Sequence, residues 1–292
     1  MTLRTSTLLV LALLSASAGA AERYWPPITE APTGISNPGR FVWADLVTDD
    51  VGAAAEFYGA TFGWTFRTYG GDDDRETYTL VFAGDRAIGG MVFHEAKPDS
   101  EQPSARWIGL ISVADAKGTA SKVATAGGKT LLAPRTLGER GEVAVYADPE
   151  GAFIGAIRSA SGDPEDYLGG IGEWVWIELW VDDAAKAADF YKAAFGYGVE
   201  PVLDAPTEAF RLTSGDRARA GVTQKRAGSK VPSVWLPYVR VADIAATVAK
   251  ASAAGGRVVI APRPYGGAIA AMVVDPSGAP FALAQLADAG GQ

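Results

Sequence analysis

The sequence contains no cysteine, so disulfides, iron–sulfur clusters, thiolate zinc sites and cysteine nucleophiles are excluded. A single histidine, His94, excludes any site that needs two histidines from one chain. Basic residues are in deficit: 26 Lys and Arg stand against 34 Asp and Glu, a formal charge of −8. No basic run interrupts that balance, and binding to a phosphate backbone needs clustered cations, so no nucleic-acid partner is expected. Long apolar runs are missing as well. The stretch Leu8 to Leu14 is less than half of the roughly 20 residues a spanning helix requires, and nothing else approaches that length. What is present is a globular composition, 48% hydrophobic over 292 residues, long enough for two domains with cores of their own.

Arg4, the apolar Leu8 to Leu14 and the small residues Ala18-Gly19-Ala20 form the three regions of a secretory signal peptide over residues 1–20. The expectation is a periplasmic or secreted product with no membrane segment after cleavage. Without cysteine it has no lipid attachment site. Residues 21–40 carry four prolines and no periodicity. They read as a Pro-rich leader, with Tyr24 and Trp25 pinned to the domain surface.

The rest of the chain repeats itself. Trp43 to Trp64 (WADLVTDDVGAAAEFYGATFGW) matches Trp176 to Tyr197 (WIELWVDDAAKAADFYKAAFGY), so that Asp50, Phe57, Tyr58, Phe62 and Gly63 recur as Asp183, Phe190, Tyr191, Phe195 and Gly196. Further on, Trp107, Asp115, Gly127, Gly128, Pro134 and Arg135 recur as Trp235, Asp243, Gly255, Gly256, Pro262 and Arg263. Asp148-Pro149-Glu150-Gly151 returns as Asp275-Pro276-Ser277-Gly278. The boundary of the duplication falls between Ser161 and Gly172, giving domains over 41–160 and 173–287. Each half divides again, because an alternating strand enters an Asp-capped helix four times, at Asp50, Asp115, Asp183 and Asp243. Val51, Ala54, Ala55, Tyr58 and Phe62 mark the apolar face of the first helix, and Gly63 ends it. Strands follow over 64–69, 77–83 and 86–93, the last two joined by a Gly84-Asp85 turn. The order is βαβββ, four times over.

With D-P-x-G before the final strand and F-Y-x-x-x-F-G closing the first helix, this unit resembles the vicinal oxygen chelate superfamily. That family holds glyoxalase I, bleomycin resistance proteins and extradiol dioxygenases. The resemblance covers residues 41–287 and implies an α+β fold of two glyoxalase-like domains. Each would be a pair of βαβββ modules forming a curved mixed sheet around a cavity. It assigns structural roles to both motifs: Asp148 and Asp275 cap turns, and Tyr58 and Tyr191 pack helix onto sheet.

The resemblance also implies a divalent metal held by one residue from each of four strands per domain. Counting back seven residues from each capping aspartate places the first-strand positions at Trp43, Ile108, Trp176 and Leu236. The last-strand positions fall at Gly90, Gly155, Gly221 and Ala282. None of these side chains is a metal donor, so neither a metal nor a cofactor is expected. Candidate ligand-binding residues come from strand alternation, which places Asp45 with Trp43, Glu178 and Trp180 with Trp176, and Tyr238 and Arg240 with Leu236. A carboxylate beside an indole suits a small organic molecule, and the same residues are equally read as a Glu178–Arg240 ion pair in a core filled by tryptophans. His94 reads as a partly exposed residue at a strand end. Three functions stay open. The chain binds a small organic molecule without metal; or it is a lyase, isomerase or hydroxylase with Asp45 or Glu178 as proton acceptor; or it is a non-catalytic interaction protein with filled cavities.

Overall fold

The computed structural model describes residues 23–71, 73–95 and 105–287. The signal sequence expected over residues 1–20 lies outside them. Among the described residues no helix is long and apolar enough to cross a membrane.

Four βαβββ modules are present. The first runs β1 (Phe41–Thr48), α1 (Val51–Phe62), β2 (Thr65–Tyr69), β3 (Tyr78–Ala83) and β4 (Arg86–Phe93). The second runs β5 (Arg106–Ser112), α2 (Ala116–Thr125), β6 (Lys129–Leu137), β7 (Gly141–Ala147) and β8 (Phe153–Ser159). The third runs β9 (Trp174–Val181), α3 (Ala184–Phe195), β10 (Gly198–Pro201), β11 (Ala209–Ser214) and β12 (Arg217–Gln224). The fourth runs β13 (Val234–Arg240), α4 (Ile244–Ala253), β14 (Arg257–Tyr265), β15 (Ala268–Val274) and β16 (Pro280–Leu286). The strands make two mixed eight-stranded sheets of identical order, β2-β3-β4-β1-β5-β8-β7-β6 and β10-β11-β12-β9-β13-β16-β15-β14. This is the α+β architecture expected for two tandem glyoxalase-like domains.

Local chemistry sets the helix ends as the sequence predicts. Asp50, Asp115, Asp183 and Asp243 each accept from the backbone N–H three residues on, at 2.8 to 3.0 Å. Gly63 and Gly196 close α1 and α3 in the left-handed region, at φ 73° and 80°. The buried stripe of α1 is Ala54, Phe57, Tyr58 and Thr61. Phe57 joins the expected face, and the half-buried Phe62 packs against the rings of Tyr58, Trp64 and Phe281.

The residues group into two compact units, and each takes one module from either half of the sequence. The first unit holds the chain up to Trp43, Ile108–Glu165 and Ile177–Trp235. Its core joins Ile111, Ala144, Tyr146, Ile154 and Ala156 to Ile177, Leu179, Tyr191 and Val222, so these strand positions face the helices. Here α2 packs on α3. Trp235 Nε1 donates to the Tyr191 hydroxyl at 2.7 Å, and that hydroxyl donates to Asp148 Oδ2 at 3.2 Å. The other oxygen of Asp148 accepts from the amides of Glu150 and Ala152, both at 2.9 Å, which is the turn-capping role its motif implies. Glu150 in turn accepts the amides of Asp182 and Asp183 at the start of α3, at 2.7 and 2.8 Å.

The second unit holds Ala44–Trp107, Asp166–Trp176 and the chain from Leu236. Here α1 packs on α4, and the same relay recurs. Trp107 Nε1 donates to Tyr58 at 2.7 Å, and Tyr58 donates to Asp275 Oδ2 at 3.0 Å. Asp275 Oδ1 accepts from Ala279 N at 2.7 Å. The repeated glycine pairs belong to the same contacts. A Cβ at Gly128 would stand 2.8 Å from the Phe190 ring, and one at Gly256 would stand 2.8 Å from Phe57.

Burial raises the pKa of Asp275 and pushes Asp148 up to about 6, partly opposed by their backbone and tyrosine hydrogen bonds. Between the unfolded pKa of about 3.9 and the folded value, the native state holds a proton that the unfolded chain lacks. Stability from Asp148 is therefore greatest below that window and falls as pH rises through it, by about 2–3 kcal/mol in total. Asp148→Asn should flatten that part of the slope. Urea unfolding followed from pH 4.5 to 7.5 checks this, and an unchanged slope in the variant would remove Asp148 as its source.

Candidate functional site

Alternation on each strand leaves one face of each sheet turned away from the helices. Because Ile177, Leu179 and Val181 belong to the helix-side core, Trp176, Glu178 and Trp180 take the opposite face. By the repeat, Trp43, Asp45 and Val47 take that face on β1.

In the second unit Asp45 is buried and accepts a hydrogen bond of 2.5 Å from the Tyr78 hydroxyl. Asp45 pairs in register with Gly90 on β4. A Cβ at Gly90 would fall 1.8 Å from the Tyr78 hydroxyl oxygen, so the glycine is what lets the tyrosine lie across the strand and reach the carboxylate. Trp176 is half-buried, Tyr238 is buried and pairs with Ala282, and the half-buried Arg240 donates from Nη1 to the Gly169 carbonyl at 3.0 Å. His94 is buried rather than partly exposed: its amide extends the β1–β4 pairing to the Thr48 carbonyl at 2.8 Å, which draws the side chain inside.

In the first unit Trp43 is 1% exposed, and the Arg140 guanidinium lies 5.1 Å from its ring centre. On β8, a Cβ at Gly155 would stand 2.2 Å from Leu110 Cδ2, so Leu110 covers that glycine as Tyr78 covers Gly90. In the third module Glu178 is buried and accepts from the Thr223 hydroxyl. Glu178 pairs in register with Gly221, and Trp180 with Thr223. Trp180 is half-buried, yet its indole Nε1 is hidden from solvent and has no hydrogen-bond partner among the described residues. Sequence reasoning selected Glu178 and Trp180 by alternation but missed Thr223, whose place beside them depends on the β9–β12 register.

Register marks a second set of positions along the first strands. The last-strand positions Gly90, Gly155, Gly221 and Ala282 pair with Asp45, Leu110, Glu178 and Tyr238, each two residues beyond the positions counted from the helix caps. Counting from a cap follows the strand alone and is blind to its pairing. The paired set holds one carboxylate per sequence half, beside glycine, leucine, tyrosine and alanine.

These features define a tandem βαβββ protein. The chain belongs to the Glyoxalase/Bleomycin resistance protein/Dioxygenase superfamily, whose family model matches residues 40–155 and 174–283. It is similar to the anthracycline biosynthesis protein DnrV of Streptomyces peucetius, at 30% identity over 264 residues, covering 85% of this chain and 94% of that protein. Two solved structures share the fold at low identity. The Mn(II)-bound glyoxalase of Novosphingobium aromaticivorans aligns at TM-score 0.58 and 14% identity, over 86% of this chain and 83% of that one. The 2,2',3-trihydroxybiphenyl 1,2-dioxygenase of Sphingomonas wittichii aligns at TM-score 0.57 and 17% identity, over 85% and 90%.

The residues present do not fit a family-type metal. One carboxylate per half is too few donors for a divalent ion. The described residues contain no group of three or more His, Cys, Asp or Glu side chains able to hold one. At Gly90 and Gly155 a donor side chain would also collide with Tyr78 and Leu110.

Gly90→Ala should therefore destabilise the protein by about 1–3 kcal/mol, the usual cost of overpacking a filled core. The cost should shrink when Tyr78→Ala is combined with it, because the ring is what the new methyl meets. Denaturant unfolding of the three variants checks this, and additive effects would remove Tyr78 as the obstacle.

Proposed function

We propose that this protein binds a small organic molecule on the helix-free face of the third module, against β9 and β12, and does so without a family-type metal. The observation that carries the reading is the Trp180 indole N–H, buried and without a partner among the described residues, on a residue that pairs with Thr223 and shares a strand face with Glu178. A buried donor left unpaired costs about 1–3 kcal/mol, and an acceptor atom on a ligand removes that cost. An indole face, a carboxylate and a hydroxyl together suit a small aromatic or polar molecule. Trp180 also stands where the repeat has the buried Val47, so this half exposes a large ring where the other buries a small side chain. The similarity to a protein named for anthracycline biosynthesis is in keeping with an organic ligand.

Titrating an anthracycline and a panel of small aromatic carbonyl compounds tests this by tryptophan fluorescence and thermal shift. A binder of the wild type should lose roughly tenfold in affinity in Trp180→Phe, which keeps a ring and removes the donor. Glu178→Gln should melt close to wild type while changing the ligand response. A loss near 3–5 kcal/mol in Glu178→Gln, with no binder found for the wild type, would leave Glu178 as structure and end the reading.

The buried Glu178 carboxylate with its hydroxyl partner also supports a second reading, a proton-abstracting lyase or isomerase. Turnover that vanishes in Glu178→Gln while binding persists would favour it. Asp45, which accepts from the Tyr78 hydroxyl, is the alternative proton acceptor, and turnover lost in Asp45→Asn but kept in Glu178→Gln would favour it. We further propose that the protein is exported, on the n-region, apolar run and small-residue motif of residues 1–20. N-terminal sequencing of chain from the native host should read from Ala21, and an intact Met1 terminus would overturn this.

A further inference from the structure

The leader is built into the first unit. Trp25 is buried, and the guanidinium groups of Arg23 and Arg140 each lie 5.7 Å from its ring centre. Arg140 continues the stack onto Trp43 at 5.1 Å, so cation and indole alternate from Arg23 through Trp25 and Arg140 to Trp43. Arg140 is 0% exposed and donates from Nε to the Pro26 carbonyl at 2.8 Å. The Trp25 carbonyl accepts the Glu139 amide at 3.1 Å, and Tyr24 reaches the Glu139 carboxylate at 3.0 Å. Beyond the stack, Ile28 is buried, and Thr33 and Asn37 tie the leader to Ser161 and Asp163 at 2.9 and 2.6 Å. The other half has no arginine at the equivalent turn, where Gly266 and Gly267 take positive φ instead.

We infer that Arg140 and Trp43 form a second binding site, specific to the first half, of which the leader is the tethered occupant. The site takes a flat aromatic ring against the Arg140 guanidinium, with a carbonyl oxygen a few atoms away to accept from Arg140 Nε or the Glu139 amide. In the intact chain Trp25 and Pro26 supply both features. The tether holds them at an effective concentration on the order of millimolar, so a free ligand competes poorly until the leader leaves. This inference is independent of the site at Glu178 and Trp180, because it concerns other residues and is read from another variant.

The test is chemical rescue in the full chain. Trp25→Ala removes the ring and should lower the melting temperature by roughly 10 °C. Indole-3-acetamide, which carries both a ring and a carbonyl, should raise it again with dose near millimolar concentration. Acetamide, with no ring, should not, and the wild type should respond far less. Adding Arg140→Met to Trp25→Ala should abolish the rescue. A variant that melts like wild type, shows no dose-dependent rise, or is rescued equally without Arg140 overturns the inference. If Trp25→Ala does not fold, Trp25→Phe keeps a smaller ring, and hydrogen exchange at the Glu139 amide becomes the readout. Exchange roughly tenfold faster than wild type is expected, and unchanged exchange overturns it.

Discussion

Each compact unit depends on a buried tyrosine hydroxyl that both accepts and donates. Tyr191 takes a hydrogen bond from Trp235 and gives one to Asp148, and Tyr58 does the same between Trp107 and Asp275. A hydroxyl in an apolar core must be satisfied or it costs stability, and here a tryptophan on one side and a carboxylate on the other satisfy it. The carboxylate also organises the D-P-x-G turn through its second oxygen. Turn, helix and strand are therefore fixed by one chain of hydrogen bonds, and its members come from opposite halves of the sequence. The repeated Phe and Gly-Gly motifs follow the same rule, since Phe190 needs the space at Gly128 and Phe57 the space at Gly256. Neither half of the sequence contains a complete unit.

This explains what could be read from the chain and what could not. Helix caps, the Gly84-Asp85 hairpin and the fourfold βαβββ order depend on residues within a few positions of one another, and local chemistry decides them. The D-P-x-G and F-Y motifs were legible as structural, each for its own local reason. That Tyr191 bonds to Asp148 is a tertiary fact with no periodicity to announce it. The same limit hid which first-strand residues pair with Gly90, Gly155, Gly221 and Ala282, since register is set by the neighbouring strand. The docking of the leader at Tyr24 and Trp25 was legible, but its aperiodic proline-rich sequence gives no sign of the two arginines beside Trp25. His94 read as a strand-end residue because its burial depends on what covers the end of β4.

The duplication preserved positions and changed partners. Asp45 and Glu178 are equivalent, and each faces a glycine on the paired last strand. The hydroxyl that satisfies Asp45 comes from Tyr78 on the strand beyond, passing over Gly90, whereas that for Glu178 comes from Thr223 on the paired strand itself. The Tyr78 ring occupies the space that a Cβ on Gly90 would need. The register equivalents confirm that the solutions are separate, for Val92 stands where Thr223 does and Ala209 where Tyr78 does. One ancestral carboxylate position has thus become covered in one module, while in the other its neighbours include a half-buried tryptophan.

Two polar groups bring the difference between the modules into energetic terms. Arg140 is a cation withdrawn completely from water, and its burial is tolerable because two indole faces and a backbone carbonyl surround it. The leader supplies one acceptor, the Pro26 carbonyl on Nε, and one of the two indole faces. The Trp180 N–H is neutral, and leaving it without an acceptor costs far less than stranding a charge. On our reading the Arg140 site is filled from within because a buried charge demands a permanent partner, whereas the unsatisfied group of the third module is only a dipole.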